Sequence, residues 1–240
     1  MHMCVMSNSE FDVLVRHRFG AKVHAQGGKC LRCSAAIDRE DGYHSLTCMS
    51  GGDRAILHNN VRDLLFSLAT TGLLDPQREC HPFAASPGSR LDVGFPFKGK
   101  TMLVDVAITH ALRPDFVDSA ALTSGGAANK YSWTKFATYG GLVNQQTQVL
   151  LPFVAETFGA WSDGALETIS IVGRAYAART NSGSFGQWEV ATRLNHAVMR
   201  GVAHLLFNVT PQEEQQRLEE GATSQAGLLD VANEQVTAAP

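Results

Sequence analysis

The segment between residues 28 and 50 carries four side chains that can bind a metal ion, in a stretch with little apolar material. They are Cys30, Cys33, His44 and Cys48, spaced as C-x2-C-x10-H-x3-C. Two residues between the first cysteines let both sulfurs reach one ion from a tight turn, and the later His/Cys pair completes a tetrahedron. The segment has no helical or strand period. We therefore predict a structural Zn²⁺ knuckle that becomes ordered by binding the ion.

Other interpretations of the four ligands are open at this point. A disulfide conflicts with a reducing intracellular environment, and a thioredoxin-like C-x2-C should open a helix after a strand, whereas a Gly-Gly-Lys run precedes this one. His58 could replace His44 as a ligand, or it could belong to the face of the next helix. Cys4 and Cys80 are interpreted as a free thiol and a small buried hydrophobic residue.

The rest of the chain predicts an alternation of helices and short strands. Apolar residues recur at helical spacing from Asp53, a plausible N-cap, to a stop at Gly72. We place helices at 9–20, 53–71, 129–139, 163–179 and 186–207, and strands at 78–83, 90–95, 101–109 and 148–155. Three strands joined tightly, with a fourth reached through a helix, indicate an α/β protein with a mixed sheet flanked by helices.

Charge and hydropathy narrow the class of protein. Residues 210–240 contain six acidic side chains against Arg217 alone, a net of −5, so the formal total of −3 leaves about +2 for the other residues. Basic residues near the N-terminus suit a nucleic-acid partner, although an ordinary solvated surface would look the same. No apolar run approaches the roughly 20 residues of a membrane span. Since Met1 to Asn8 lack signal-peptide features, we expect an intracellular protein.

Two aspartates lie at corresponding places in two successive predicted strands. Asp92 ends an Arg-Leu-Asp triplet, and Asp105 follows after twelve intervening residues, inside a strongly apolar run. If the strands pair as a hairpin, the carboxylates can converge and bind Mg²⁺, which prefers hard oxygen ligands. A turn role for Asp92 and an arginine partner for Asp105 would explain the same residues. Burial of a carboxylate is costly without a partner, which makes Asp105 the more informative of the two.

The order and spacing of these features resemble the C-terminal region of site-specific non-LTR retrotransposon polyproteins, where a CCHC zinc knuckle precedes a restriction-like endonuclease. The resemblance extends from Phe11 to about Leu206. It rests on the knuckle, His58-Asn59, Glu79, Arg90-Leu91-Asp92, Asp105-Val106-Ala107, Lys130-Tyr131 and residues 152–156. It implies a PD-(D/E)XK fold, related to archaeal Holliday-junction resolvases. The chain would divide into a helix and knuckle at 1–52, a nuclease-like domain at 53–209 and an acidic, disordered tail at 210–240.

The resemblance also implies an activity, which is Mg²⁺-dependent nicking of target DNA in the nucleus to prime reverse transcription. RNA of the same element would be a further partner. Asp92, Asp105 and the backbone carbonyl of Val106 would hold Mg²⁺. The lysine that usually stands two residues after the second acid is replaced by Ala107. Lys130 is therefore the expected catalytic lysine, with a lysine five residues later as the alternative.

The resemblance assigns further residues around this centre. Glu79 is expected to reach the metal as a first-motif acid, and Arg90, His58 and Lys135 are expected to contact nucleic acid. Glu156 is interpreted as the cap of a local turn. Three aromatic residues, Trp133, Phe136 and Tyr139, lie at helical spacing and are expected in the core rather than in a base-stacking surface.

Two other functions fit the same residues. The missing lysine and the leucine at the usual proline favour a catalytically degraded nucleic-acid-binding protein or retroelement remnant. A third hypothesis is a zinc-stabilised module for protein interaction, which separated Asp92 and Asp105 carboxylates would favour.

Overall fold

The computed structural model describes residues 5–24, 28–37, 41–83, 86 and 88–207, so Cys4 and the acidic segment predicted at 210–240 lie outside the described residues. The helices are α1 (Asn8–Arg18), α2 (Tyr43–Thr47), α3 (Asp53–Thr71), α4 (Val117–Leu122), α5 (Gly126–Tyr139), α6 (Asp163–Thr180) and α7 (Ser184–Phe207). The strands are β1 (Gly28–Lys29), β2 (Ala36–Ile37), β3 (Gln77–Cys80), β4 (Leu91–Phe97), β5 (Lys100–Thr109) and β6 (Gln148–Glu156). Within these described residues, none of the helices is long and apolar enough to cross a membrane.

Strands β3 to β6 form one mixed sheet in the spatial order β3-β4-β5-β6. β3 pairs with β4 and β4 with β5 in antiparallel orientation, whereas β5 and β6 are parallel. The β4–β5 hairpin turns at Lys98 and Gly99, both of which have positive φ, as a tight two-residue hairpin requires. The parallel pair needs a crossover, which α4 and α5 supply. The predicted α/β architecture, a mixed sheet flanked by helices, is confirmed.

Different helices cover the two faces of the sheet. On one face, Val106 of β5 packs in the main core with buried residues of α3, α6 and α7. On the other face, Ala107 and Val154 pack against Ala128 of α5. Because side chains alternate along a strand, Asp105 lies on the face that includes Ala107, which α5 covers. The fold therefore turns the second candidate acid toward α5.

Contacts at the first turn of α5 set its position on the sheet. Glu156, at the end of β6, is buried, and its side chain accepts a hydrogen bond from the Ala128 N–H at 3.0 Å. That N–H is one of the first four in a helix, which have no partner inside it. Gly126 lets the helix pass close to Ser119, since a Cβ there would lie 2.0 Å from the Ser119 carbonyl oxygen. Glu156 thus caps α5 and joins it to β6.

The predicted elements agree with the structure, with ends that differ by up to three residues. α1 begins after Ser7 rather than Ser9. The Ser7 side chain accepts from the Glu10 N–H at 3.2 Å, and Glu10 accepts from the Ser7 N–H at 2.8 Å. Gly52 precedes α3 as its cap, in place of Asp53. The sequence pattern does not predict α2 and α4, because helices of five and six residues show less than two turns of periodicity.

The N-terminal segment packs on the α/β core. Val13 of α1 and Leu46 of α2 belong to the same hydrophobic core as the sheet. His17 of α1 stacks on Phe158, with ring centroids 4.4 Å apart, and its ring centroid lies 5.8 Å from that of His110. The domain boundary predicted at residue 52 separates two stretches of sequence, while the main core extends across it.

The buried His17 makes the stability of this fold depend on pH. Burial lowers its pKa to about 4, while the unfolded chain takes up a proton near pH 6.5. Between these values the unfolded state binds more protons, so stability falls as the pH falls through this window. On going from about pH 7 to about pH 4.5, urea unfolding should show a loss about 2 kcal/mol larger for the wild type than for His17→Phe.

His81→Gln, which changes an exposed histidine, is the matched control and should follow the wild type. The Cys/His segment is common to all three chains, so its own response to acid cancels in the comparison. Equal losses for the wild type and His17→Phe would show that His17 does not carry this dependence.

Candidate functional site

The four predicted zinc ligands lie together in the folded chain. The donor atoms of Cys30, Cys33, His44 and Cys48 are all within 4.8 Å of one another. Cys33 Sγ is 3.3 Å from His44 Nε2, and Cys30 Sγ is 3.9 Å from Cys48 Sγ. A tetrahedral Zn²⁺ with ordinary bond lengths needs donor separations of about 3.5 to 3.8 Å. The residues therefore fit a metal such as zinc and could hold it with small adjustments.

Short pieces of backbone bring these ligands to one point. β1 and β2 form a two-residue antiparallel pair, and the turn between them is closed by a hydrogen bond of 2.9 Å from the Cys30 N–H to the Ala35 carbonyl. α2 carries His44, and Cys48 follows its last residue, with its N–H donating to the His44 carbonyl at 2.7 Å. Ile37 packs with Cys30 and Cys48 in a small cluster. With so little apolar contact in this cluster, a metal ion bound by the four ligands would be its main source of stability.

The electrostatics at the first cysteine favour the form that binds metal. Burial raises the pKa of Cys30, but hydrogen bonds from the backbone of Arg32 and Cys33 and from the His44 side chain bring it down to about 6. Metals bind the thiolate and not the thiol. This ligand is therefore ready to lose its proton near neutral pH.

Arg32 joins the knuckle to the α/β body. It lies between the first two cysteines in the chain and forms an ion pair with Asp53, the first residue of α3. Its side chain crosses Gly51, where a Cβ would lie 2.3 Å from Arg32 Cδ. The knuckle is thus held at the N-terminus of the helix that carries His58.

The first candidate acid, Asp92, makes two contacts through one carboxylate oxygen. Its Oδ2 accepts a hydrogen bond from the Val106 N–H at 2.7 Å and lies 3.1 Å from His58 Nε2. The hydrogen bond to Asp92 raises the pKa of His58, and burial opposes this effect. From the sequence, His58 was considered as a zinc ligand or as a nucleic-acid contact. In the structure it contacts Asp92 and orients that side chain. Val106, expected to offer its carbonyl to Mg²⁺, here offers its N–H to the aspartate.

The second candidate acid, Asp105, is buried in the central strand and is 6 % exposed. Lys135 of α5 forms an ion pair with it, with 2.6 Å between Nζ and Oδ2. Burial raises the pKa of Asp105, and the Lys135 ammonium and His58 oppose this effect. Burial also opposes the charge of Lys135, but the contact with Asp105 raises its pKa. The sheet and α5 together place an ammonium beside a desolvated carboxylate.

Lys135, and not Lys130, is the lysine that faces Asp105. Lys130 is exposed, and within the described ranges no acidic side chain lies within ion-pair distance of it. The two lysines are five residues apart, which rotates them by about 140° around the helix axis. The contact with the second acid is therefore made by Lys135, which was the alternative catalytic lysine and was also expected to contact nucleic acid.

Glu79 and Arg90 form a surface ion-pair group with a residue that the sequence did not single out. Arg62 Nη1 is 3.0 Å from one Glu79 oxygen, and Arg90 Nη1 is 3.2 Å from the other. Glu79 was expected to reach the metal, but its carboxylate forms ion pairs with Arg62 and Arg90 in this structure. Arg62 follows His58 by four residues on α3, and this spacing on one helix face is the signal that could have identified it.

The aromatic residues of α5 depart from the expected core position. Trp133 is 71 % exposed and Phe136 is 41 % exposed. Tyr139 is half-buried and stacks on Phe83, with ring centroids 6.0 Å apart. The prediction that these residues belong to the core is wrong for Trp133 and Phe136, because α5 turns only its opposite side to the sheet.

The two acids lie on neighbouring strands but do not form a complete ligand cage. Among the described residues, the Cys/His group is the only set of three or more metal-binding side chains with donor atoms within 4.8 Å of one another. Mg²⁺ is commonly held by one or two carboxylates together with water and substrate phosphates. The two aspartates on β4 and β5 would therefore supply at most part of the coordination sphere of such an ion.

Comparison with known proteins assigns no relative to the chain. No family model matches it, and no curated protein matches it significantly. The conclusions about function therefore depend on the geometry above.

The knuckle predicts a metal content that can be measured. The purified chain should contain one zinc ion by elemental analysis, and Cys33→Ser should lower this content because a three-ligand site holds the ion less tightly. Cys80→Ser is the matched control, since Cys80 lies outside the ligand group, and it should keep the full content. Removal of zinc by a chelator should expose the 28–50 segment to proteolysis. Equal zinc contents in the two variants would contradict the assignment.

Proposed function

We propose that this chain is a Mg²⁺-dependent DNA endonuclease with a PD-(D/E)XK core, of the type that nicks target DNA for primed reverse transcription in site-specific non-LTR retrotransposons. The observation that carries the proposal is the 2.6 Å contact between Lys135 Nζ and the buried Asp105, one strand away from Asp92. Two acids on a β-hairpin and a lysine from the next long helix are the elements that such a site needs.

The proposed roles follow from the position of each side chain. Asp92 and Asp105 would offer carboxylate oxygens to Mg²⁺, and Mg²⁺ supplies a reactive hydroxide and neutralises charge on a scissile phosphate when bound. Lys135 would orient the attacking water and stabilise the negative charge that develops on the phosphate. His58 and the Val106 N–H hold Asp92 in one orientation.

The environment of Asp105 suits this role. A carboxylate buried next to a single ammonium loses much of its hydration, and a divalent ion would compensate for that loss. Exchange of the ammonium for the cation would release Lys135 toward the substrate. DNA is the proposed substrate, with RNA of the same element as a further partner and the nucleus as the place of action.

A second candidate, a catalytically degraded nucleic-acid-binding protein, is favoured by the contacts of the acids. Asp92 already accepts from Val106 and contacts His58, and Glu79 is held between two arginines. In this alternative the ion pairs replace the metal and keep the fold intact. The zinc knuckle and the basic residues near it would then provide the remaining function.

The nuclease proposal predicts that the cleavage step needs Lys135 and does not need Lys130, the other lysine of α5. In a supercoiled-plasmid nicking assay with Mg²⁺, Lys135→Met should cut about 10²-fold more slowly or worse, because the group that orients water and stabilises charge is lost. With DNA at a saturating concentration, Lys130→Met, which removes a charge from the same helix but no contact with Asp105, should stay within about twofold of the wild type. Asp92→Asn and Asp105→Asn should abolish nicking, since an amide is a poor Mg²⁺ ligand.

Circular dichroism of every variant separates a lost function from a lost fold. If the wild type and both asparagine variants nick at the same background rate, the site assignment is wrong.

The degraded-protein alternative predicts a different pair of results. Binding of duplex DNA should weaken steeply with salt, because neutralised phosphates release counterions, while nicking is absent at every Mg²⁺ concentration. Binding that does not depend on salt would exclude this alternative.

A further inference from the structure

Helix α5 carries two large aromatic side chains on its solvent side. Trp133 is 71 % exposed and Phe136 is 41 % exposed, and their ring centroids are 6.0 Å apart. Single exposed apolar side chains are common on protein surfaces, but two large rings in contact with one another form a small apolar patch. Neither ring contributes to the hydrophobic clusters of the described residues. The pair is therefore available to a ligand.

The pair belongs to a continuous stripe that ends at the candidate catalytic centre. Lys130, Trp133, Phe136 and Tyr139 follow one another at intervals of three residues, which makes neighbours of successive side chains along a helix. Tyr139 follows Lys135 by one helical turn, and Lys135 contacts Asp105, so this end of the stripe lies beside the ion pair. The ammonium that contacts Asp105 belongs to the same helix.

The charge of the helix matches a polyanion. α5 contains two lysines and no acidic residue. Lys130 lies at the outer end of the stripe, and Lys135 lies near its catalytic end. Each ammonium could contact a phosphate, with the aromatic rings between them. Alternation of cations and exposed rings is the arrangement that binds single-stranded nucleic acid, where bases stack on aromatic side chains and the backbone follows the positive charge.

Duplex DNA does not fit this surface as well. Its bases are already stacked on one another inside the helix, so an aromatic ring on the protein gains no base face unless the duplex opens. The exposed rings therefore favour a substrate with unpaired nucleotides next to the cleaved phosphodiester.

We propose that Trp133 and Phe136 form a stacking platform for unpaired DNA bases beside the Asp105–Lys135 centre, so that this chain prefers single-stranded DNA or a duplex with an unpaired flank. The inference rests on the proposed nuclease function for the position of the cut, and on the exposed rings for the binding. It names the class of substrate that the site takes.

The test measures binding apart from cleavage. Fluorescence anisotropy with a labelled oligothymidylate of about 20 nucleotides, in buffer without Mg²⁺ and without chelator, gives the affinity for unpaired bases. Trp133→Ala should weaken this affinity about 5- to 100-fold, and Trp133→Phe should restore most of it, because any aromatic ring can stack. Binding of a duplex of the same length should change little in either variant.

Trp188→Ala is the matched control. Trp188 is 60 % exposed and lies on α7, outside the stripe, so its loss should leave both affinities unchanged. A Trp133→Ala chain that binds the oligothymidylate like the wild type would overturn the proposal. An equal loss for duplex and single strand would also overturn it, because it would point to charge or folding and not to base stacking.

Cleavage assays distinguish this inference from the function on which it rests. If Trp133→Ala loses single-strand binding while no chain cuts DNA, the platform stands and the nuclease proposal fails. If the wild type cuts with Mg²⁺ and Trp133→Ala binds and cuts like it, the nuclease proposal stands and the platform fails.

Discussion

A carboxylate in the middle of a central strand requires a compensating charge, and the arrangement around the candidate centre follows from this requirement. Asp105 interrupts an otherwise apolar strand and is almost fully buried. Little water reaches it, so a cation from the protein or from solution has to balance its charge. Lys135 supplies that charge from α5. The helix in turn depends on Glu156 at its N-terminus, which joins it to the parallel strand beside Asp105.

Removing one partner of such a buried ion pair costs more folding free energy than the pair contributes, since the remaining charge stays buried without a partner. A protein that needed only stability could place an apolar residue at this position. In the nuclease that we propose, a divalent ion at Asp105 would replace the ammonium, and Lys135 would turn to the substrate. Asp92 is likewise held in one orientation, by a backbone N–H and a histidine.

The knuckle follows a different physical rule. Among the described residues of its segment, the separate apolar cluster consists of Cys30, Ile37 and Cys48, so a bound ion would contribute what a hydrophobic core contributes elsewhere. The Arg32–Asp53 ion pair and the packing of Leu46 in the main core tie the segment to α3. A metal ion bound by the four ligands would therefore be linked to the orientation of α3. Because α3 carries His58, the Cys/His segment contributes indirectly to the position of Asp92.

The sequence by itself determined the features that depend on local spacing. These are the four ligands at C-x2-C-x10-H-x3-C, the helical period of α3, the apolar strands and the hairpin that brings Asp92 near Asp105. Each is encoded within a few consecutive residues, as is Gly72, the glycine at the end of α3. Only the tertiary structure decided which lysine of α5 faces Asp105, that His58 contacts Asp92, and that Trp133 and Phe136 are exposed. Those outcomes depend on how each helix is rotated about its axis on the sheet. Contacts between residues distant in sequence determine this rotation, and the helical period of 3.6 residues does not specify it.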